Sequence, residues 1–205
     1  ILYIGKGNDN KQYLWSFDGN PDNTLLLAEV GINMSSGASR EAVEIQGKFY
    51  FTGWKDGDTS LWVTDGTIAG TYMLNDVEPD MLTIVDNKLL FYGKETISGR
   101  EPWTSDGTPE GTFILKDISA GSVSGVVGKG KIFVLNGKGY FVGRPNEMVF
   151  KMYVTDGTSE GTNVVVAENT THDISPLGVG DSILYPSIIY ESLGSAYFQA
   201  KYTAD

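Results

Sequence analysis

The sequence predicts an all-β fold of short antiparallel strands, and three observations carry that prediction. The first is composition: the 205-residue chain holds 26 Gly against 7 Pro, with 12% aromatic residues, as expected for short strands joined by tight turns. The second is periodicity: no window spaces apolar residues at i, i+3 and i+4 over three helical turns. The third is an internal repeat of the pattern D-G-T-x-x-G-T. A chain of this length forms one or at most two domains and buries roughly two thirds of its unfolded surface.

The repeat defines the elements. Its full copies begin at Asp65-Gly66-Thr67, Asp106-Gly107-Thr108 and Asp156-Gly157-Thr158. A worn copy begins at Asp18, with Asn20 in place of Thr and Asn23 in place of the second Gly, and a fifth copy ends the chain at Asp205. An aromatic residue stands three positions before each Asp: Trp15, Trp62, Trp103, Tyr153 and Tyr202, at spacings of 47, 41, 50 and 49. In the third repeat, alternating apolar runs predict strands A to D at 82–85, 89–93, 101–105 and 112–115, with a tight turn at 86–88 and a polar loop at 94–100. The second repeat matches at 42–45, 48–51, 60–63 and 71–74. The first opens at 1–5 with the pattern of strand B, so its strand A is missing. The fifth offers A at 175–179, B at 182–185 and C at 196–203, and lacks D.

Four strands in about 47 residues make one blade of a β-propeller. The sequence therefore predicts a single propeller domain or segment over 1–205, with about five blades at 1–31, 40–78, 81–119, 123–169 and 173–205, the terminal two incomplete. The first residue is Ile rather than Met, so the chain is read as a processed product or a segment of a longer protein.

The D-G-T loops are read as structural. Asp18, Asp65, Asp106 and Asp156 each follow strand C, where a carboxylate accepts backbone N–H groups just ahead. The next Gly permits positive φ. The second Gly is expected to supply another left-handed residue, a role Asn23 could share. The aromatic of strand C is expected to pack between blades. Residues that recur in every repeat serve the blade rather than one site.

The stretch Glu101-Pro102-Trp103-Thr104-Ser105-Asp106-Gly107-Thr108-Pro109-Glu110-Gly111-Thr112-Phe113-Ile114-Leu115-Lys116-Asp117-Ile118 resembles a bacterial repeat family of the form E-L-W-x-T-D-G-T-x-x-G-T-x-L-V-K-D-I. The resemblance implies a propeller from a large secreted or cell-surface protein, of Bacteroidetes-like and myxobacterial relatives, and implies no common reaction. The loop is also similar to the Asp-box hairpin of sialidase-type propellers.

Charge and residue types narrow the function. Net charge is −11 without a basic patch, which argues against nucleic-acid and anionic-lipid binding. With no Cys and one His, thiolate and multi-histidine metal sites and cysteine nucleophiles are excluded. No apolar run approaches the roughly 20 residues of a membrane-spanning helix. A sialidase-like enzyme would need converging arginines, and Arg40, Arg100 and Arg144 occupy non-equivalent repeat positions.

The candidate binding residues are Trp54, Asp56 and Asp58. Trp54 follows Gly53 where other repeats carry Lys94 and Arg144, and an aromatic beside carboxylates suits the face of a sugar. Lys55-Asp56-Gly57-Asp58-Thr59 and its counterpart Gly7-Asn8-Asp9-Asn10 also offer oxygen ligands for Ca²⁺, although a solvated hairpin is the preferred reading. The acidic connection at 75–80, His172 and the glycosylation-type triplets at Asn33 and Asn169 are read as ordinary surface features. No cofactor is expected. These observations predict a non-catalytic binding or adhesion module, secreted or on the cell surface, with a protein or glycan partner. A lectin, a glycoside-processing enzyme and a structural spacer are the alternatives.

Overall fold

The computed structural model describes residues 1–31, 42–126, 130–146 and 149–165, and the backbone of short strands within 174–202. The protein is all-β, built from small antiparallel sheets, with a short 3₁₀ turn at Pro21–Asn23. Sheet 1 has three strands: β1 (Leu2–Lys6), β2 (Gln12–Ser16) and β3 (Leu25–Ala28). Sheet 2 has four: β4 (Ala42–Ile45), β5 (Lys48–Lys55), β6 (Asp58–Thr64) and β7 (Tyr72–Asn75). Sheet 3 comprises β8 (Glu78–Val85), β9 (Lys88–Glu95), β10 (Gly99–Ser105) and β11 (Phe113–Ile114). Sheet 4 comprises β12 (Phe133–Leu135), β13 (Lys138–Asn146), β14 (Val149–Thr155) and β15 (Asn163–Val164). Each is a meander in chain order, and among the described residues the sheets do not close into a ring.

Turn chemistry sets the registers. In sheets 2, 3 and 4 the first hairpin closes through Gln46-Gly47, Asp86-Asn87 and Asn136-Gly137, all at positive φ. Two left-handed residues match the twist of the flanking strands, and Ile45, Val85 and Leu135 then face Lys48, Lys88 and Lys138. The next hairpin of sheet 2 turns on Asp56 (φ 54°) and Gly57 (φ 105°), with Lys55 opposite Asp58.

Two expected loops are shorter than the sequence reading placed them. Strand β5 runs past Gly53 to Lys55, and the loop expected at 94–100 contracts to the turn between Glu95 and Gly99. The cause is long-range. Chain arriving from the preceding sheet pairs with this half of each second strand: Gly31 with Trp54, Glu78 with Lys94, Val126 with Gly143. The expected acidic connection at 75–80 is therefore already strand from Glu78 onward.

The core is divided between neighbouring sheets. One apolar cluster joins sheets 1 and 2 through Leu14, Leu27, Val30 and Trp62. A second joins sheets 2 and 3, and a third joins sheets 3 and 4. Strand β9 shows why: Leu89 and Phe91 enter the second cluster, while Leu90 and Tyr92 enter the third. Period-two alternation thus sends successive side chains to opposite faces. Trp62, Trp103 and Tyr153 each face the preceding sheet, as expected of the strand-C aromatic, and lie beside the cross-strand residues Phe51, Phe91 and Phe141, stacked on Phe51 and Phe141 and tilted against Phe91.

Within 174–202 the chain forms three two-stranded ladders, pairing β16 (Ile174–Pro176) with β21 (Ala200–Tyr202), β17 (Gly178–Val179) with β18 (Ser182–Ile183), and β19 (Tyr190–Ser192) with β20 (Ser195–Tyr197). The β17–β18 hairpin falls where strands A and B of the fifth repeat were expected to meet, whereas β16 pairs across the segment with β21. Arg40, Asn33, Asn169, His172 and Asp205 lie outside the described residues.

Candidate functional site

The D-G-T loops are closed hydrogen-bond systems. In the first full copy Asp65 Oδ1 accepts the Thr67 N–H at 2.9 Å and the Thr67 hydroxyl at 2.7 Å. Thr67 Oγ1 in turn accepts the Gly70 N–H at 3.0 Å. The Thr71 hydroxyl reaches Thr67 O and shares a hydrogen bond of 2.6 Å with Thr64. The same contacts recur around Asp106 and Asp156. The Thr hydroxyls bonded to them hold all three carboxyls below their usual range.

The structure corrects the role of the second Gly. Gly66, Gly107 and Gly157 do take positive φ, whereas Gly70, Gly111 and Gly161 do not. A Cβ on the latter three would lie 2.0–2.1 Å from the Asp carboxylate. They are glycines because the carboxylate folds over them. The worn copy closes differently. Asp18 Oδ1 still accepts the N–H two residues ahead, that of Asn20 at 2.9 Å, but Asn23, at the second-Gly position, donates its side-chain amide to Asp18 at 2.8 Å without positive φ, and Asn20 Oδ1 accepts the Asp22 N–H at 3.1 Å.

Away from these loops, the hairpin tips of sheets 1 and 2 enclose a cleft of about 360 Å³. Half-buried Trp54 forms one side, with Asp56 beside it, and Lys6, Asn10, Gln12 and Glu29 come from sheet 1. The backbone of Trp54 is fixed by two hydrogen bonds with Gly31, of 2.8 and 2.9 Å. Lys11 bridges to Glu29 at 2.6 Å across the cleft's rim, and that carboxylate raises the lysine above its ordinary value. Asp9, the counterpart considered for calcium, accepts the Tyr13 hydroxyl at 2.6 Å, which holds Asp9 below its usual range.

Asp58 does not join this cleft. It lines a separate groove of about 620 Å³ with Asp76, Glu78, Lys94 and Glu95. The two-residue turn separates Asp56 from Asp58, so the two carboxylates considered together as calcium ligands open onto different spaces. Among the described residues no group of three or more His, Asp or Glu side chains is arranged to hold a metal ion. Arg100 is engaged by Asp80 at 3.3 Å and Glu78 at 3.8 Å, and Arg144 donates to Ser124 O at 3.3 Å.

Of the sheet 1 half of the cleft, sequence reasoning had named Asn10 alone, in the counterpart loop considered for calcium. Gln12 and Glu29 carry no motif and meet Trp54 only because consecutive hairpin tips lie side by side. It also assigned no role to Glu101. That side chain is fully buried and accepts backbone N–H groups of Ile118 at 2.9 Å and Gly125 at 2.6 Å, tying the crossover between sheets 3 and 4 to β10. Burial pushes its carboxyl up to about 7. No family model and no curated protein matches the chain.

Proposed function

We propose that the chain is part of a β-propeller and serves as a non-catalytic binding module of a secreted or cell-surface bacterial protein, with the Trp54 cleft taking a sugar ring. The propeller reading is supported by four successive meanders, each joined to the next by its own apolar cluster, and by the resemblance of the repeat.

One observation carries the functional reading. The residue after the strand-B glycine is Lys6, Lys94 or Arg144 in three sheets and Trp54 in the fourth. The departure falls on a half-buried indole beside amide, carboxylate and ammonium groups. Function concentrates where loops break a repeat. An aromatic face stacks on the C–H face of a pyranose, while neighbouring polar groups bond its hydroxyls. Arg100, held by Asp80 and Glu78, supports a non-catalytic role, because it is not left to bind a substrate carboxylate.

A glycan array probed with the intact chain and with Trp54→Ala tests the reading. Binding by the parent that the variant loses is the expected result. An array on which both proteins give the same pattern, or on which neither binds, refutes the sugar assignment and leaves a protein-binding or spacer role.

A further inference from the structure

Five Asp-Gly dipeptides occur in the chain: Asp18-Gly19, Asp56-Gly57, Asp65-Gly66, Asp106-Gly107 and Asp156-Gly157. Asp-Gly is especially open to main-chain isomerisation. A glycine, having no Cβ, hinders neither the approach of its nitrogen to the aspartate side chain nor the rotation that aims it. The reaction needs the carboxyl protonated, and it needs both the carboxyl and the glycine N–H released from other partners.

Four of the five pairs are locked. In the full D-G-T copies both reacting groups are occupied. Asp65 Oδ1 accepts the Thr67 N–H and hydroxyl, while the Gly66 N–H donates to Thr64 Oγ1 at 3.0 Å. The Gly107 and Gly157 N–H groups donate likewise to Ser105 Oγ and Thr155 Oγ1, each at 3.0 Å. In the worn copy Asp18 holds one bond on each oxygen, from the Asn20 N–H at 2.9 Å and the Asn23 amide at 2.8 Å. These bonds hold all four carboxyls below their usual range, and the ionised form is the unreactive one. Asp56-Gly57 differs. It forms the exposed tip of the β5–β6 hairpin, with both residues at positive φ. Among the described residues Asp56 makes no hydrogen bond or ion pair, and the Gly57 N–H has no partner. An exposed tip without side-chain bonds opens at low free energy.

We propose that Asp56-Gly57 is a site of spontaneous isoaspartate formation, selected by the fold from five Asp-Gly pairs. The Gly57 nitrogen forms a bond to Asp56 Cγ. The bond from Cγ to the carboxyl hydroxyl breaks, and the hydroxyl leaves with the N–H proton as water, closing a succinimide. Water then adds to one of the two ring carbonyls. Cleavage between Gly57 N and Asp56 Cγ restores aspartate. Cleavage between Gly57 N and the Asp56 main-chain carbonyl carbon leaves isoaspartate, with the chain running through Cβ and Cγ. The water released in the first step is replaced in the second, and no oxidant or reductant enters. The product adds a carbon to a turn that two residues close, which parts Lys55 from Asp58, and it moves the free carboxylate onto Cα at the wall of the Trp54 cleft. The chemistry does not rest on the sugar-binding reading.

The test holds the full chain in warm, mildly acidic buffer, folded and in urea. Peptide mapping by mass spectrometry and enzymatic methyl labelling of isoaspartate locate the product. Deamidation at Asn136-Gly137 raises the mass, whereas isomerisation leaves it unchanged, so the two are read separately. A locked pair must first give up its hydrogen bonds, which lowers the reactive population by about tenfold or more. In the folded chain isoaspartate therefore accumulates at Asp56 at least about tenfold faster than at Asp18, Asp65, Asp106 or Asp156, and in urea the five advance together. Asp56→Glu, which would need a larger ring, abolishes the folded-state signal. Equal rates at the five sites in the folded chain, or a lead by any of the other four, overturn the proposal. So does an Asp56 that stays unmodified in the folded chain while the chain in urea reacts. A lead by Asp56 that persists in urea also overturns it, because the neighbouring sequence rather than the fold would then make the choice.

Discussion

Gly111→Ala separates two reasons for a glycine in the loop. The backbone at Gly111 is not left-handed, so a helical-hand penalty is not expected. The new Cβ would stand 2.0 Å from Asp106 Oδ1 and 2.2 Å from its Cγ. The carboxylate must swing away, giving up the Thr108 N–H at 2.9 Å and the Thr108 hydroxyl at 2.7 Å. Each such bond is worth about 1 kcal/mol net, so Gly111→Ala costs about 2–3 kcal/mol once local distortion is added. Asp106→Ala alone costs about 1–2 kcal/mol, toward the lower end because the loop faces solvent. The double variant removes the atom that clashes. Its cost equals that of Asp106→Ala to within about 0.5 kcal/mol, a coupling of about 2 kcal/mol between the two sites. Urea denaturation followed by tryptophan fluorescence measures all four corners of the cycle. Additive penalties would falsify the carboxylate-packing account and return the glycine to a conformational role.

Three further outcomes follow from other contacts. Gly93→Ala places a Cβ 2.6 Å from Trp103 Cδ1 and 2.8 Å from Val77 Cγ2, and overpacking of this kind lowers stability by about 1–3 kcal/mol; an unchanged melting temperature contradicts it. Glu101 has its folded value raised to about 7 against an ordinary 4.5, so its contribution is fully present below about pH 4.5 and is lost as pH rises through about 7. The stability of the parent relative to Glu101→Gln therefore falls between pH 5 and pH 8 in urea titrations, and a flat or rising difference refutes the assignment. Trp54→Ala leaves the Gly31 backbone bonds in place and changes stability by about 1 kcal/mol or less for a half-exposed side chain while abolishing ligand binding; a large drop in melting temperature would make Trp54 a packing residue instead.

Local interactions were legible because their partners lie close in the chain. Strand β4 occupies the expected 42–45, and the hairpin at Asp86-Asn87 turns where its residues demand. The D-G-T hydrogen bonds span two to seven residues. A strand with apolar residues at alternate positions, or an Asp two residues before a donor, carries its instruction in a window that a reader can see.

What the tertiary structure decided depends on chain brought from far away. Trp54 belongs to a strand rather than a loop because Gly31 arrives to pair with it, and its cleft exists because Lys6, Gln12 and Glu29 come from another sheet. Asp56 and Asp58 part company at a two-residue turn, which composition alone leaves open. Glu101 sits inside a motif visible in the sequence, yet its role rests on backbone donors 17 and 24 residues away. By itself the sequence determined the strands, the turns and the repeated loop, whose energies are local. Which strands extend, which glycines make room and which polar groups meet was decided by the stacking of one sheet on the next, since only packing brings sequence-distant groups within bonding distance.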